Sequence, residues 1–183
     1  MATLYLIPVP LGPVSPDACL PPDTLSVARR LDHFVVERAK TARAHLKAMG
    51  HPQPIQALHL EELNEHTPAS AIAALLAPLK AGHDVGLLSE AGCPAVADPG
   101  AALVMAAHRE NIPVLPLIGP SSILLALMAS AWAGSASLST ATCRRRSPSA
   151  ARKSVNWKRP RARKTPPNSS SKRPTAARPC WTR

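Results

Sequence analysis

The feature that most constrains this chain is a change of composition near residue 130. All 11 acidic residues lie before residue 111, and residues 1–130 hold 8 of the 22 Lys and Arg residues. Residues 131–183 hold the other 14 basic residues, no acidic residue and very few branched aliphatic side chains. Such a segment buries too little apolar surface to offset a chain entropy of about 1–2 kcal/mol per residue. We therefore expect a folded domain over 1–130 and a disordered basic tail over 131–183.

Within residues 1–130, short apolar runs alternate with helical patterns. Strands are predicted near 3–9, 33–37, 56–60, 84–88 and 113–117, and helices over 23–31, 38–49, 68–81, 99–110 and 120–130. This alternation is typical of repeated βα units, so it predicts an α/β domain with a parallel sheet.

Several other classes of protein lack support in the sequence. The four cysteines have neither zinc-ligand nor disulfide-framework spacing, so we expect no metal site and an intracellular, cytoplasmic protein. No GxGxxG or Walker A pattern indicates a dinucleotide or a nucleoside triphosphate. No apolar stretch reaches the roughly 18 residues of a membrane span, so no membrane partner is expected.

Ligand-binding loops are expected at one edge of the predicted sheet. In open parallel sheets, ligands bind beyond the carboxyl ends of the strands, which selects the segments 8–12, 37–43, 89–100 and 118–122. Gly92, Gly100 and Gly119 in these segments would let the backbone approach a ligand closely. Glycines in ordinary turns between strands and helices explain the same spacing equally well.

Five ordered segments carry a resemblance to a known family. They are LYLIPVPLG, VERAKTAR, ELNEHT, GLLSEAGCPAVADPGAALV and PLIGPSSILLALMAS. In order and spacing they resemble the N-terminal domain of the tetrapyrrole methylase superfamily, and most of all its ribosomal RNA small subunit methyltransferase I branch. The resemblance covers about residues 1–130.

The resemblance implies a two-domain α/β enzyme that binds S-adenosylmethionine between its domains and works as a homodimer. Its implied reaction is methylation of a cytidine ribose 2′-hydroxyl, with ribosomal RNA or the small ribosomal subunit as substrate. The positions that match the family's cofactor loops are Pro10, Gly12, Glu90, Ala91, Gly92, Cys93, Pro94, Gly119, Pro120 and Ser121.

Three positions depart from the pattern of the ribosomal RNA branch. Pro13 stands where that branch has Asn after the glycine of the first loop, and Glu90 and Cys93 stand where it has Asp and Thr. These differences indicate a sister subgroup.

The resemblance also suggests residues for catalysis and substrate binding. Glu37 matches an acidic position near Lys40 and Arg43, so Glu37 is a candidate base or substrate-positioning group and Arg43 a candidate catalytic residue. A surface ion pair of Glu37 with Lys40 or Arg43 is the alternative, and it would contribute only about 0.3–0.5 kcal/mol. Asn64 and His66 are candidate substrate contacts, or else ordinary polar groups of a loop.

A segment with 14 basic and no acidic residues would ordinarily indicate a nucleic-acid-binding arm. The tail also has a second explanation, a change of reading frame. In a reading frame shifted by one nucleotide upstream, each new codon consists of the last base of one codon and the first two bases of the next. In that frame, the codons of 138–144 permit Phe-His-Gly-Tyr-Leu-Pro, which resembles the family's segment between its two domains. The same offset on 169–176 permits Phe-Ile-Glu-Thr-Pro-Tyr-Arg, which resembles a motif of the second domain. We therefore expect that a frame change between Ala129 and Trp132 replaces the second domain and leaves a truncated, inactive chain.

Two other functions remain open from the sequence. A tetrapyrrole methyltransferase would share the fold and the cofactor, although the first loop, PVPLG, lacks the GxGPGD-type glycines of the porphyrin and corrin enzymes. A noncatalytic basic RNA-binding protein would hold its RNA affinity in residues 131–183.

Overall fold

The computed structural model describes residues 2–130, and the tail predicted over 131–183 lies outside this range. The strands are β1 (Leu4–Ile7), β2 (His33–Val36), β3 (His59–Glu62), β4 (Val85–Leu88) and β5 (Val114–Pro116). The helices are α1 (Pro16–Cys19), α2 (Pro22–Arg30), α3 (Ala39–Ala48), α4 (Ala69–Leu75), α5 (Ala77–Lys80), α6 (Gly100–Arg109) and α7 (Ser122–Ala129), with a 3₁₀ turn at Ile55–Ala57.

The five strands form one parallel sheet in the order β3-β2-β4-β1-β5. Ile7 of β1 and Val36 of β2 both align with Leu88 of β4, and Val36 aligns with Glu62 of β3. Four strands therefore end at the same level, and we call this side of the sheet the carboxyl edge. The predicted α/β class with a parallel sheet is confirmed.

Helices cover both faces of the sheet because successive strand residues point to opposite sides. Phe34 and Val36 pack in one apolar cluster, with buried residues of α2 and α3, whereas Val35 between them packs in a second cluster, with buried residues of α5 and α6. The apolar runs of the sequence are thus buried from both sides, as expected for a parallel sheet.

The third strand was predicted too early, at 56–60. Residues 55–57 form the 3₁₀ turn after Pro54, and the strand itself begins at His59. As an edge strand it has mostly exposed side chains, so it lacks the apolar run by which the inner strands are recognised. Apolar Ile55 and Leu58 mimicked such a run.

Two predicted helices also differ in detail. The segment 68–81 contains two helices, α4 and α5, and Pro78 lies in the first turn of the second. The last helix begins at Ser122 with Ser121 as its N-cap, so Pro120 lies before the helix. Within residues 2–130, no helix has both the length and the apolar character needed to cross a membrane.

Helix α7 is apolar but poorly covered by the described residues. Its sequence is SILLALMA, and none of its side chains is buried. Met128 on this helix and Ile118 just before it are each 77% exposed.

Three histidine rings stack at the opposite side of the sheet, where the strands begin. His33 lies between His59 and His83, with ring centroids 4.6 and 4.8 Å apart. Burial lowers the pKa of His33, the charges of His59 and His83 lower it further, and Asp32 partly offsets them. The fold therefore favours the neutral form of His33.

We predict that His33 makes the domain less stable in acid. As the pH falls through about 6.5, the unfolded chain binds the proton more readily than the folded chain, so the free energy of unfolding decreases. Urea denaturation of His33→Gln across this pH range should show a weaker pH dependence than the parent chain. The control His66→Gln, which changes an exposed loop residue, should follow the parent. Equal pH dependence in all three chains would refute the prediction.

Candidate active site

The carboxyl edge brings together four of the segments singled out in the sequence. Strands β2, β4, β1 and β5 are consecutive neighbours in the sheet, and the segments 37–43, 89–100, 8–12 and 118–122 follow them in that spatial order. Because parallel strands present their carboxyl ends to the same side, these segments form one continuous rim.

Backbone hydrogen bonds tie three of these segments into one unit. Val9 donates its N–H to the Gly92 carbonyl at 2.9 Å, and Gly92 donates to the Val9 carbonyl at 3.1 Å. The Cys93 thiol donates to the Pro120 carbonyl at 3.3 Å. The loop after β4 is thus bonded to the loops after β1 and β5.

Two glycines allow this close approach. Gly92 has φ +71°, and a Cβ there would lie 2.9 Å from Leu11 Cδ2. A Cβ on Gly119 would lie 2.3 Å from the Cβ of Pro8, which is buried. Gly12, in contrast, has no atom within 4 Å of the position of a Cβ. Glycine is therefore favoured at 92 by the positive φ and required at 119 by packing against Pro8, whereas neither applies to Gly12.

Asp98 holds the rest of the loop after β4. Ala95 and Ala97 have φ of 63° and 58°, a conformation that costs non-glycine residues about 1–2 kcal/mol each. Asp98 Oδ1 accepts the N–H groups of Ala95 at 2.9 Å and Gly100 at 2.8 Å. These charge-assisted bonds help to offset the strain. Sequence reasoning missed Asp98, although its Asp-Pro-Gly context is a turn signal.

The remaining cofactor-loop candidates differ in what they expose. Pro10 and Pro94 are buried and can only shape the loops, whereas Ala91 is exposed. Within residues 2–130, the N–H groups of Ala91 and Gly119 have no hydrogen-bond acceptor. They are therefore available to an acceptor group of a ligand. The Ser121 hydroxyl already accepts the N–H of Leu124 at 3.4 Å.

Carboxylates surround Glu37, the candidate base. Glu37 follows β2 directly and is half-buried. Burial raises its pKa, and the negative charges of Glu90, Asp98 and Glu65 raise it further, while Arg38 lowers it. The pKa of Asp98 is itself raised by burial, against the effect of its two backbone hydrogen bonds. The charges that act on Glu37 are thus mostly negative, with Arg38 opposing them.

The structure does not form the ion pair that was the alternative role of Glu37. Among the described residues, no ion pair joins Glu37 to Lys40 or Arg43. A different carboxylate, that of Glu62 on β3, holds the start of α3: its Oε1 accepts the N–H of Ala39 at 2.8 Å.

Asn64 and His66 lie in a turn after β3. Asn64 Oδ1 accepts the N–H of His66 at 3.0 Å, and Thr67 Oγ1 accepts the N–H of Asn64 at 3.0 Å. His66 is exposed, and its Nε2 lies 3.7 Å from Glu65 Oε1. The Asn64 side chain therefore shapes the loop, and a role of either residue toward substrate stays a prediction.

Helix α3 also touches the loop after β4. His45 lies within hydrogen-bond distance of the Glu90 carbonyl, with Nε2 at 3.3 Å. This contact connects the helix after β2 with the cofactor-loop candidates. No local sequence pattern predicts this contact, because it joins residues 45 positions apart.

No protein-family model matches this chain. Proteins named Ribosomal RNA small subunit methyltransferase I do match it in part. The one from Mesorhizobium japonicum is 36% identical over 127 residues, which are 69% of this chain and 40% of the relative. The one from Xylella fastidiosa is 34% identical over 128 residues, or 70% and 44%. The one from Escherichia coli O157:H7 is 32% identical over 126 residues, or 69% and 41%.

The chain is a partial match to the ribosomal RNA small subunit methyltransferase I family. The resemblance drawn from the five sequence segments is thereby confirmed. The chain spans less than half the length of each of these three relatives, so the reaction of the whole enzyme is taken up below as a proposal.

The two loop glycines give a matched pair of variants. Gly119→Ala places a methyl group against the Pro8 ring, and overpacking of this kind typically costs about 1–3 kcal/mol. Gly12→Ala meets no atom and should stay within about 0.5 kcal/mol of the parent chain. Chemical denaturation measures both. Equal stability of the two variants would contradict the packing described for the loops.

Asp98 offers a second matched pair. Both of its backbone bonds go to Oδ1, so Asp98→Asn retains an acceptor while Asp98→Ala removes it. We expect the alanine variant to lose about 1–3 kcal/mol of stability and the asparagine variant to lose much less. Because Asp98 raises the pKa of Glu37, an NMR titration should also find this pKa lowered in Asp98→Asn. An unchanged pKa of Glu37 in this variant would exclude the electrostatic interaction between Asp98 and Glu37.

Proposed function

We propose that residues 1–130 are the S-adenosylmethionine-binding half of a methyltransferase, and that the complete enzyme methylates a cytidine ribose 2′-hydroxyl in small-subunit ribosomal RNA. The names of the relatives support the ribosomal RNA substrate. The observation that carries the cofactor role is the bonded unit of three loops at the carboxyl edge, joined through Val9, Gly92 and Cys93.

The residues of this rim suit the chemistry of the cofactor. The unpaired N–H groups of Ala91 and Gly119 can donate to carboxylate, hydroxyl or ring-nitrogen acceptors. The carboxylates of Glu37 and Glu90 supply a negative potential that favours a cationic ligand. S-adenosylmethionine is such a ligand, and when bound it supplies an electrophilic methyl group on a sulfonium.

Glu37 is the group that we assign to the substrate hydroxyl. Its carboxylate lies beside the loop after β4, and its neighbours move its pKa upward, toward the pH at which a general base works best. In this role a carboxylate oxygen of Glu37 accepts the proton of the ribose hydroxyl and helps to orient that hydroxyl.

The proposal extends to the part of the enzyme outside the described residues. A frame change near residues 129–132 would explain why the relatives continue well beyond the length that this chain matches. In the complete enzyme, a second domain would close over the cofactor, and the enzyme would act as a cytoplasmic homodimer.

Sequencing the gene and expressing a restored reading frame tests these points together. We expect the neighbouring frame to remain open and to encode a family-like second domain. The restored protein should bind S-adenosylmethionine at least ten times more tightly than the present chain by isothermal titration calorimetry, and it should methylate small ribosomal subunits. Stop codons in that frame would reject the hypothesis of a frame change. Methyl transfer to a porphyrin and not to RNA would reject ribosomal RNA as the substrate.

The role of Glu37 predicts a specific loss in the restored enzyme. Glu37→Gln should lower kcat by about 10²–10⁴-fold, the usual contribution of a general base, with S-adenosylmethionine affinity changed much less. In the restored enzyme, the midpoint of the rising limb of the pH–rate profile should lie above the ordinary pKa of glutamate, and this limb should be absent in Glu37→Gln. Glu61→Gln, on the exposed edge strand β3, is the control. Full activity of Glu37→Gln would remove Glu37 from the mechanism.

A further inference from the structure

Helix α3 presents a row of cations on one side. Lys40, Arg43 and Lys47 are all exposed, and their spacing of three and four positions places them on the same helix face. At a rise of about 1.5 Å per residue, the row extends about 10 Å along the helix. We call these three residues the α3 stripe.

The α3 stripe has no partner among the described residues. None of its side chains makes an ion pair or a hydrogen bond within residues 2–130. The Lys and Arg residues that form ion pairs there are Arg29, Arg30 and Lys80. The stripe is therefore a local excess of positive charge on a segment in which acidic residues outnumber basic ones by 11 to 8.

The stability of the helix explains only Lys47, which lies in the last turn, where the helix dipole favours a cation. Lys40 lies in the first turn, where the helix dipole disfavours a cation, and that turn has no acidic residue. Like charges three or four positions apart also repel each other. An anionic partner would reverse both unfavourable effects.

A cavity lies beside the far end of the stripe. Its volume is about 410 Å³. Arg43 and Lys47 line it from α3, and Gln53 and Gln56 line it from the segment around the 3₁₀ turn. The Gln53 amide donates from Nε2 to Asp32 Oδ1 at 2.6 Å, so the amide that lacks a partner among the described residues is that of Gln56. Cations facing amide groups can bind phosphate oxygens and sugar hydroxyls together. The near end of the stripe begins three residues after Glu37.

We propose that the α3 stripe and the amide of Gln56 bind the phosphate–ribose backbone of single-stranded RNA that flanks the nucleotide at Glu37. The choice of RNA as the occupant rests on the proposed function, and the charge of the stripe, the Gln56 amide and the start of the stripe three residues after Glu37 support it. Lys40 and Arg43 thereby act on the substrate backbone and not on the reacting hydroxyl.

Crosslinking tests the location of the RNA in the full 183-residue chain. A photo-crosslinking amino acid replaces Ala44, which is exposed between Arg43 and Lys47, or Ala101 on α6, which is exposed and serves as the control. A short, mixed-sequence single-stranded RNA should crosslink at position 44 and much less at 101. Equal crosslinking at both positions would overturn the proposal. It would also be overturned if a polyglutamate peptide suppressed the crosslink at position 44 as well as unlabelled RNA does.

Salt dependence provides the second measurement. The variant R43Q/K47Q removes two charges from the stripe, and K80Q/R109Q removes two from helices elsewhere. The tail is identical in both chains, so it contributes the same nonspecific binding to both. We expect the slope of log K against log salt to fall by about 1.4 in the stripe variant, or about 0.7 for each lost phosphate contact, with little change in the control. Equal slopes would reject the stripe as the RNA contact.

The results separate this inference from the proposed function. RNA crosslinking at position 44, together with no S-adenosylmethionine binding by the restored protein, would support the stripe and reject the proposed function. Cofactor binding with no preference for position 44 would reject the stripe alone.

Discussion

The alignment of β1, β2 and β4 is the constraint on which the site depends. Because Ile7, Val36 and Leu88 lie at one level, the segments that follow these strands leave the sheet side by side. The bonds between Val9 and Gly92 then join neighbouring loops without any long side chain. A shift of one strand by a single residue would separate these groups and also exchange its buried and exposed faces.

The rim divides into two chemical regions. In the loops after β1, β5 and β4, glycine, proline and backbone groups leave N–H donors such as those of Gly119 and Ala91 without acceptors among the described residues. Around β2 it carries the carboxylate of Glu37, followed by Arg38 and then by the cations of α3. This order, from a neutral polar surface to carboxylates to cations, would suit a cofactor, a reacting hydroxyl and a phosphate chain in turn.

The sequence predicted the inner strands and the rim because both depend on local patterns. Apolar runs mark strands buried on two faces, and the loops follow them directly. It misplaced β3 because an edge strand needs no apolar run. It missed Asp98, and it did not reveal the carboxylates that raise the pKa of Glu37, because Glu65 and Glu90 approach it only through the fold. The family resemblance lies in contiguous sequence segments, whereas the charge arrangement around Glu37 depends on tertiary structure.

The most direct test of the cofactor site is amide hydrogen–deuterium exchange of the 183-residue chain with and without saturating S-adenosylmethionine. Slower exchange in the segments 8–14, 89–95 and 118–122, with no change at the histidine stack around His33, is the expected result. Slower exchange at the histidine stack alone, or no change anywhere at saturation, would contradict a cofactor site at the carboxyl edge.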